Sequence, residues 1–375
     1  MVIGGVESVF IQTLDELRQR QDINIIVYML HRMREPFYRE WFARHNVPLR
    51  ILYPCGHLFD YAEKFMSVFP LTNIRKIMYS LYKKYRNFIN LRRGAFDDCD
   101  IIIDYKNCSF DKIVRTLPQP KITWIHGSVN YFNENHFARL VPHYAKIVCL
   151  TDNFMNEFKS IYPALGDKIV RIYNPVEPAR IKFIADQMPT YPGQYFLAVS
   201  RLDADKDNET IIRAFDEFWT SQNGPDVKLV IVGDGNQMRN LRELVKKLPS
   251  GGYIAFVGAN PVPFGYMRGA IAHILSSYNE GLGMVLLENA SVGTLNISSD
   301  CPNGPREILM DGRAGILFTP GDTAALAQAM RDVYTNQVNI AEIKRNATNG
   351  LERFCPEKIT QDIVDLINQT IAENR

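Results

Sequence analysis

The chain has 375 residues, of which 46% are hydrophobic and 22% are charged, and its formal net charge is +2 at pH 7. This length exceeds the roughly 250–300 residues at which a single hydrophobic core stops growing, so we expect two domains. The near-zero net charge gives no reason to expect a nucleic-acid partner, and no apolar run approaches the roughly 18–20 residues that span a bilayer.

The cysteines indicate a reducing compartment. There are six, scattered along the chain, and none forms a Cys-x-x-Cys pair. This distribution does not suit a disulfide framework or a zinc site. The first residues also lack the apolar run of a secretory signal peptide. We therefore expect a cytoplasmic protein.

The N-terminus consists of Met1-Val2-Ile3, a Gly4-Gly5 pair and an amphipathic run to about Gln19. The glycine pair can form a tight turn before a helix. It can also form a loop whose amide groups face a ligand at the start of that helix. At most three residues precede the pair, so a strand before it would be short.

Short apolar runs then alternate with helical stretches through the first half of the chain. The runs cover residues 24–30, 49–53, 100–104, 121–125 and 146–150, and a further one covers 169–176. This alternation predicts a parallel, doubly wound α/β sheet. The proline-rich segment 177–192 follows, and we predict that it is an interdomain linker.

The segment Asn73–Arg93 is basic and amphipathic. It contains seven Lys or Arg residues and no acidic residue, and apolar side chains recur on its other face at helical spacing. Such a helix can lie on an anionic membrane surface. It can equally pack against the core through its apolar face and expose its basic face to solvent.

Polar residues follow the predicted strands of the second half. Arg201 and Lys206 come soon after the apolar run 195–200, and Gly233-Asp234-Gly235 comes after the run 228–232. Gly258 ends the run 253–258. A Gly-x-Gly-x-x-Gly dinucleotide fingerprint would need glycine at Met238, which disfavours a nicotinamide-dependent dehydrogenase.

The most informative stretch is Asn279-Glu280-Gly281-Leu282-Gly283-Met284-Val285-Leu286-Leu287-Glu288. A buried strand over 272–277 precedes it and a helix from Met284 to Val292 is predicted within it. Glu280 would therefore lie at the carboxyl end of a strand, where open α/β sheets bind ligands. The amides around Gly281 and Gly283 open the helix and can face an anion. Glu288 lies one turn after Met284 on the same helix face.

With Gly293-Thr294, Ser299-Asp300 and Gly304-Pro305-Arg306-Glu307-Ile308-Leu309, this stretch resembles the paired-glutamate motif of the retaining family-4 glycosyltransferases, the "group 1" glycosyl transferases. The resemblance implies the GT-B fold, in which two Rossmann-like domains face a cleft. It implies an acceptor-side domain over residues 1–176, a linker over 177–192 and a nucleotide-sugar domain over 193–355. A C-terminal helix over 356–375 would cross back to the first domain. The family has a full strand before the Gly-Gly loop, so the first strand here is truncated or the true start lies upstream of Met1.

The resemblance also implies roles for individual residues. Arg201 and Lys206 would stabilise the leaving diphosphate, because its growing charge needs fixed cations. Glu280 would orient the donor sugar or stabilise its oxocarbenium-like centre, and Glu288 would accept hydrogen bonds from the ribose. His126, at the end of the strand 121–125, would contact the sugar. Backbone contacts to the donor are expected at Gly4, Gly5, Gly233, Gly258, Gly281, Leu282, Gly283 and Met284.

We expect no metal and no cofactor besides the donor. Asp203-Ala204-Asp205 and Asp98-Cys99-Asp100 match the Asp-x-Asp metal motif of the other large glycosyltransferase fold. Because Arg201 and Lys206 flank the first of these, a metal there would be redundant. The usual Gly or Asn after the lysine is Asp207, which puts the conformation of that loop in question.

The sequence therefore predicts a retaining hexosyltransferase that uses a nucleotide-diphosphate sugar, with a UDP-sugar favoured. Its acceptor would be a saccharide or lipid-linked saccharide in cell-surface polysaccharide or lipopolysaccharide assembly. If Asn73–Arg93 binds a membrane, the contact would be peripheral, with core packing of the segment as the alternative. Two alternatives are a non-transferring GT-B enzyme, such as a phosphorylase or sugar-nucleotide epimerase, and an inactive sugar-nucleotide-binding subunit.

Overall fold

The structure is a computed structural model that describes residues 5–29, 36–52, 82–87, 89–91, 94–105, 107–108, 115–127 and 139–375. Within these ranges the strands form sheets of two, four and six strands. Every strand pair in them is parallel. The predicted α/β architecture with parallel sheets in two halves is confirmed.

The N-terminal half contains the two smaller sheets. Its described elements are α1 (Gly5–Leu17), β1 (Val27–Met29), α2 (Pro36–His45), β2 (Leu49–Ile51), β3 (Ile102–Asp104), β4 (Lys121–Ile125), β5 (Lys146–Cys149), α3 (Asp152–Ile161) and β6 (Ile169–Arg171). β1 pairs with β2, and β3 to β6 form the four-stranded sheet in chain order. β4 and β5 are buried along their whole length because the sheet is covered on both faces.

The C-terminal half is built around the six-stranded sheet. Its elements are α4 (Pro178–Asp186), β7 (Gln194–Val199), α5 (Asn208–Ser221), β8 (Val227–Val232), α6 (Met238–Val245), β9 (Ile254–Gly258), α7 (Phe264–Gly269), β10 (Ala272–Leu275), α8 (Met284–Ser291), β11 (Leu295–Ser299), α9 (Gly304–Ile308), β12 (Ile316–Phe318), α10 (Thr323–Tyr334), α11 (Ile340–Gly350) and α12 (Pro356–Glu373). The strand order is β12-β11-β10-β7-β8-β9. The order reverses between β7 and β10, and ligands of doubly wound sheets bind outside the strand ends at such a point.

The core of this half lies between the sheet and its covering helices. In α5 the buried residues Ile211, Ile212, Phe215 and Phe218 recur at the three- and four-residue spacing that places side chains on one helix face. Phe215 and Phe218 are fully buried. Burial of such side chains contributes about 1.5–3 kcal/mol each relative to exposure, so this face holds α5 and the loop before it against β7.

The chain crosses between the two halves twice, at one place. The backbone N–H of Val176, on the first crossing, donates to the carbonyl of Phe354, on the second, at 2.9 Å. α12 then returns to the N-terminal half, where Glu373 forms a 2.9 Å ion pair with Lys146 of β5. The predicted helix that crosses back to the first domain is confirmed by these contacts.

Two further predictions concern helices. The segment predicted as a linker, 177–192, contains α4, and Ile181 of this helix packs into the apolar cluster shared by both halves. Asn73–Arg93 lies partly outside the described residues, but 82–87 and 89–91 are helical. None of the helices in the described part of the chain combines the length and apolar character that spanning a bilayer requires.

Candidate functional site

The loops that follow β7 and β10 lie side by side at the switch point. The backbone N–H of Tyr278 donates to the carbonyl of Asp205 at 2.9 Å. The hydroxyl of Ser276 donates to the carbonyls of Lys206 and Asp207 at 2.9 and 2.8 Å. These contacts fix the segment that carries Lys206 against the segment that carries Glu280.

Lys206 and Glu280 form a direct ion pair in the cleft. Their Nζ and Oε1 atoms are 2.8 Å apart, and the side chains are 15% and 14% exposed. The hydroxyl of Ser277 donates to the same Oε1 at 2.7 Å. Burial of the ammonium opposes its charge, but attraction and hydrogen bonding by Glu280 outweigh burial and raise the pKa of Lys206 above its usual value. The ammonium is therefore charged at neutral pH.

Arg201 lies beside this pair and is half exposed. Its guanidinium forms an ion pair with Asp203, and its Nη2 is 3.8 Å from Oδ2 of Asp205. Lys206 Nζ is 3.6 Å from the same oxygen. The structure thus brings Arg201, Lys206 and Glu280 together, with Asp205 between the two cations. Among the described residues no group of three or more His, Cys, Asp or Glu could hold a metal ion, and the absence of a metal stays a prediction.

Asp207 has the conformation that the loop needs. Its φ and ψ are 45° and 46°, in the left-handed region that Asp and Asn tolerate better than most residues. Its carboxylate accepts hydrogen bonds from the Thr210 hydroxyl at 2.6 Å and from the Thr210 backbone N–H at 3.4 Å. Asp207 therefore serves as the N-cap of α5 and keeps Lys206 in place.

The glycine turn after β8 is packed against the loop that carries Arg201. A Cβ at Gly233 would lie 1.9 Å from the Ser200 carbonyl oxygen, so no larger residue fits there. The backbone N–H of Gly233 donates to the carbonyl of Gly258 at 2.8 Å. These positions border the switch point, and the predicted contact of Gly233 and Gly258 with a donor stays a prediction.

The start of α8 lies under the N-terminal half. Gly283, at φ 91°, is the N-cap of this helix. A Cβ at Gly281 would lie 2.9 Å from the carbonyl oxygen of His126, so the two halves touch at this loop. Leu282 is only 2% exposed and packs in the shared core, and its predicted backbone contact with a donor stays a prediction. Met284 is partly buried.

Glu288 projects from the second turn of α8. Burial raises the pKa of its carboxyl from 4.5 to about 7. Within the described residues, no hydrogen bond or ion pair involves this carboxyl, whereas Glu280 has several. A hydroxyl-bearing ligand could therefore hydrogen-bond to Glu288 without displacing a partner.

His126 is held by hydrogen bonds to two residues of its own half, Tyr105 and Asn107. Its Nε2 lies 2.8 Å from the carbonyl oxygen of Tyr105, and a carbonyl only accepts, so Nε2 carries the proton. The His126 backbone N–H donates to Oδ1 of Asn107 at 2.7 Å. The rings of His126 and Tyr105 are 4.8 Å apart, and Tyr105 in turn packs 5.1 Å from Phe10 of α1. The sugar contact predicted for His126 stays a prediction.

The sequence did not single out three residues that hold the site together. Ser276 and Ser277 support the loops of Lys206 and Glu280, as described above, and Nδ2 of Asn303 donates to the Glu280 carbonyl at 3.3 Å. Ser276 and Ser277 directly follow β10 at the switch edge, and that position was the available signal for them. Of the predicted glycine pair, Gly5 is the first residue of α1, and Gly4 lies outside the described residues.

Comparisons with known proteins address the family and the fold of this chain. Residues 186–350 match the family model "Glycosyl transferases group 1". An uncharacterized glycosyltransferase of Methanocaldococcus jannaschii is 29% identical over 47% of this chain and 50% of its own length, so the match spans about half of that relative. The lipopolysaccharide 1,6-galactosyltransferase of Escherichia coli is 22% identical over 74% of this chain and 76% of its own length.

A solved structure, Anabaena HepE in complex with UDP and glucose, has a TM-score of 0.73 at 17% identity and covers 98% of this chain and 96% of its own. At that identity the likeness shows the fold alone. The resemblance to the group 1 glycosyltransferases predicted from the sequence is confirmed, and so is the predicted GT-B fold.

Proposed function

We propose that this chain is a retaining glycosyltransferase that moves a hexose from a nucleotide-diphosphate sugar to a saccharide acceptor. The observation that carries the proposal is the Lys206–Glu280 ion pair at the switch point, with Arg201 joined to it through Asp205. Two fixed cations and a carboxylate at this place suit a reaction in which a diphosphate leaves an anomeric carbon.

In the proposed reaction the bond between the anomeric carbon and the diphosphate oxygen breaks first. Lys206 and Arg201 stabilise the growing negative charge on the diphosphate, assisted by the backbone amides that open α8. The acceptor hydroxyl attacks the same face of the sugar, and its proton passes to the released phosphate oxygen. Glu280 is already bound to Lys206 and Ser277, so it orients the donor and stabilises positive charge without becoming a nucleophile.

The remaining predicted residues complete the donor site. Glu288 accepts hydrogen bonds from the ribose hydroxyls, and His126 contacts the sugar from the other half of the molecule. The approach of His126 to Gly281 closes the cleft around the donor and excludes water, whose attack would hydrolyse it. UDP is the proposed nucleotide, because Anabaena HepE is described in complex with UDP and glucose.

We propose that the acceptor is a lipid-linked saccharide of cell-surface polysaccharide or lipopolysaccharide assembly. The Escherichia coli relative supports this class by its name. The helical segment 82–87 supports peripheral contact with an anionic membrane, because Lys84 and Tyr85 are exposed. Arg86 instead turns inward and donates to the Leu52 carbonyl at 3.1 Å. Co-sedimentation with vesicles containing anionic lipid should decrease with added salt and with Lys84→Glu. Vesicle binding that does not change with salt concentration would contradict this membrane contact.

The function itself is tested by donor binding and by turnover. Thermal-shift measurements against UDP-, GDP- and ADP-sugars should identify one base, since ligand at a hundred times its Kd stabilises by about 2.7 kcal/mol. Turnover is then measured with Glu280→Gln and Arg201→Ala. Loss of transfer with retained folding supports an enzyme, whereas donor binding without transfer by the wild type supports an inactive binding subunit. The absence of a shift with every donor would contradict the transferase.

A further inference from the structure

The short helix α9 touches the Glu280 loop with its first residues. Asn303, just before α9, is 2% exposed and has φ 82°, a backbone conformation that is unfavourable for residues other than glycine. Its side-chain amide donates to the Glu280 carbonyl. A Cβ at Gly304 would lie 1.6 Å from the Leu282 carbonyl oxygen, so the backbones are in direct contact. Any shift of α9 would therefore displace the Glu280 loop.

The other end of α9 reaches into the N-terminal half. The two carboxylate oxygens of Glu307 lie 3.0 and 3.3 Å from the backbone nitrogen of Asp152, which begins α3. The hydroxyl of Tyr173 donates to the same carboxylate. A carboxylate at the start of a helix satisfies a free N–H group and is favoured by the helix dipole. Glu307 thus joins the two halves with hydrogen bonds from both α3 and the segment after β6.

Glu307 also lies beside the double crossing of the chain. The ring of Tyr173, on the first crossing, is 4.6 Å from the ring of Phe354, on the second. The guanidinium of Arg353, next to Phe354, donates to the backbone carbonyl of Glu307 at 3.2 Å. Both crossings therefore contact Glu307, and α9 runs from them to the Glu280 loop.

We infer that Glu307 is a positioning residue that sets the geometry of Glu280 according to how the two halves are docked. The contact with Asp152 and Tyr173 fixes one end of α9, and Asn303 at the other end fixes the Glu280 backbone. Glu307 does not touch the donor site itself, so its effect on the reaction passes through α9. This inference deepens the proposed transfer reaction and rests on it for its kinetic consequence.

The kinetic test compares Glu307→Ala with three related variants. Glu307→Gln keeps an oxygen that accepts from Asp152, Tyr173→Phe removes one donor, and Asn303→Gly removes the amide while accommodating φ 82°. Asp311→Asn is the matched control, because Asp311 is a highly exposed acid on the next turn whose carboxylate pairs with Arg306. We expect Glu307→Ala to lower kcat about ten-fold while the donor KM changes less than about three-fold, and Glu307→Gln to restore most of the loss.

The coupling is tested by combining changes at the two ends of α9. The double variant Glu307→Ala/Asn303→Gly should be no slower than the slower single variant, because both interrupt the same connection. The fraction of donor lost to hydrolysis should rise in Glu307→Ala and stay unchanged in Asp311→Asn. Additive losses, a change confined to KM, or an equal effect of Asp311→Asn would overturn the inference.

A second measurement needs no turnover. Hydrogen exchange at residues 280–283 should be faster in Glu307→Ala than in Asp311→Asn, while β10 remains protected in both. If Glu307→Ala fails to fold, Glu307→Gln and Tyr173→Phe take its place with smaller effects in the same direction. A wild type without transfer would contradict the proposed function alone, whereas unchanged exchange at 280–283 would contradict the inference alone.

Discussion

The two halves of the molecule support their site residues in different ways. In the C-terminal half, charged side chains hold one another: Lys206 pairs with Glu280, and Asp205 lies between Lys206 and Arg201. In the N-terminal half, His126 is fixed by the carbonyl of Tyr105 and by the amide of Asn107. The charged cluster of the C-terminal half is thus held together by ion pairs, whereas His126 is held by hydrogen bonds to neutral groups. Substitutions that remove a charge should therefore impair the C-terminal half of the site. Substitutions that add bulk should instead impair the contact between the two halves.

The largest effect is expected from Lys206→Ala. Removing the ammonium takes a fixed cation from the leaving diphosphate and leaves Glu280 without its ion pair. We expect kcat to fall by about 10²–10³-fold, in the range seen when one stabilising group is lost. Lys246→Ala is the matched control, because Lys246 is exposed and pairs with Glu243. A Lys206→Ala variant with nearly normal kcat would show that the charge cluster is not part of the reaction.

The next effect is expected from Gly281→Ala, which tests the contact between the halves. Its Cβ would lie 2.9 Å from the His126 carbonyl oxygen, so closure of the cleft is obstructed. We expect kcat/KM to fall about ten-fold with little loss of stability, because the N-terminal half can move away. Gly252→Ala is the control, since a Cβ there meets nothing within 4 Å. Equal kinetics for the two alanine variants would contradict the close approach.

The pH dependence of donor binding tests Glu288. Burial raises its pKa to about 7, so the carboxyl is mostly neutral at pH 6 and mostly ionised at pH 8. If the ionised form accepts from the ribose, donor Kd should be up to about ten-fold larger at pH 6 than at pH 8. Calorimetric titrations over this range would measure it, and Glu288→Gln should flatten the profile. A steep profile retained in Glu288→Gln would assign the dependence to another group.

The same carboxyl has an effect of opposite sign on folding. Because its pKa is raised in the folded state, the neutral form is favoured there, and the free energy of unfolding should decrease as pH rises from about 4.5 through about 7. Glu288→Gln removes this contribution, so the difference in stability between the two proteins should grow with pH over that interval. Urea unfolding at several pH values measures the difference.

The smallest effect is expected from Tyr105→Phe in the N-terminal half. His126 is held by the backbone carbonyl of Tyr105, and among the described residues the Tyr105 hydroxyl has one hydrogen-bond partner, Thr13 at 3.5 Å. Because the variant keeps the ring and the carbonyl, kcat should stay within about two-fold of the wild type. A large loss would show that side-chain chemistry, and not only approach, matters on this side of the cleft.

The sequence predicted the parts of the site that depend on where strands end. Lys206 and Glu280 follow β7 and β10, and adjacent parallel strands place such residues at one edge. The support by Asn303 was missed, because it depends on the path of a turn 23 residues away from Glu280. The approach of Gly281 to His126 could not be predicted from the sequence either, because it depends on how the two halves dock.

The N-terminal half was less predictable than the C-terminal half. Within the described part of the apolar run predicted over 24–30, strand β1 covers Val27–Met29, and Gly5 proved to be helical. The segment 177–192, predicted from its prolines as a linker, contains α4, and Pro178 stands in the first turn of this helix, a place where proline is favoured. That position was a helix-start signal that the composition of the segment obscured.

The hydrogen bond between Val176 and Phe354 limits how the protein can open. Because both connections between the lobes pass through this one place and are joined there by a hydrogen bond, we expect sliding of one lobe past the other to be restricted. We expect the lobes to move mainly by rotation about that place, which would widen the cleft at Gly281 more than it displaces Tyr173. Such a rotation would let a donor enter at the side of the cleft away from the crossing. The site would then be complete only when the two lobes have closed.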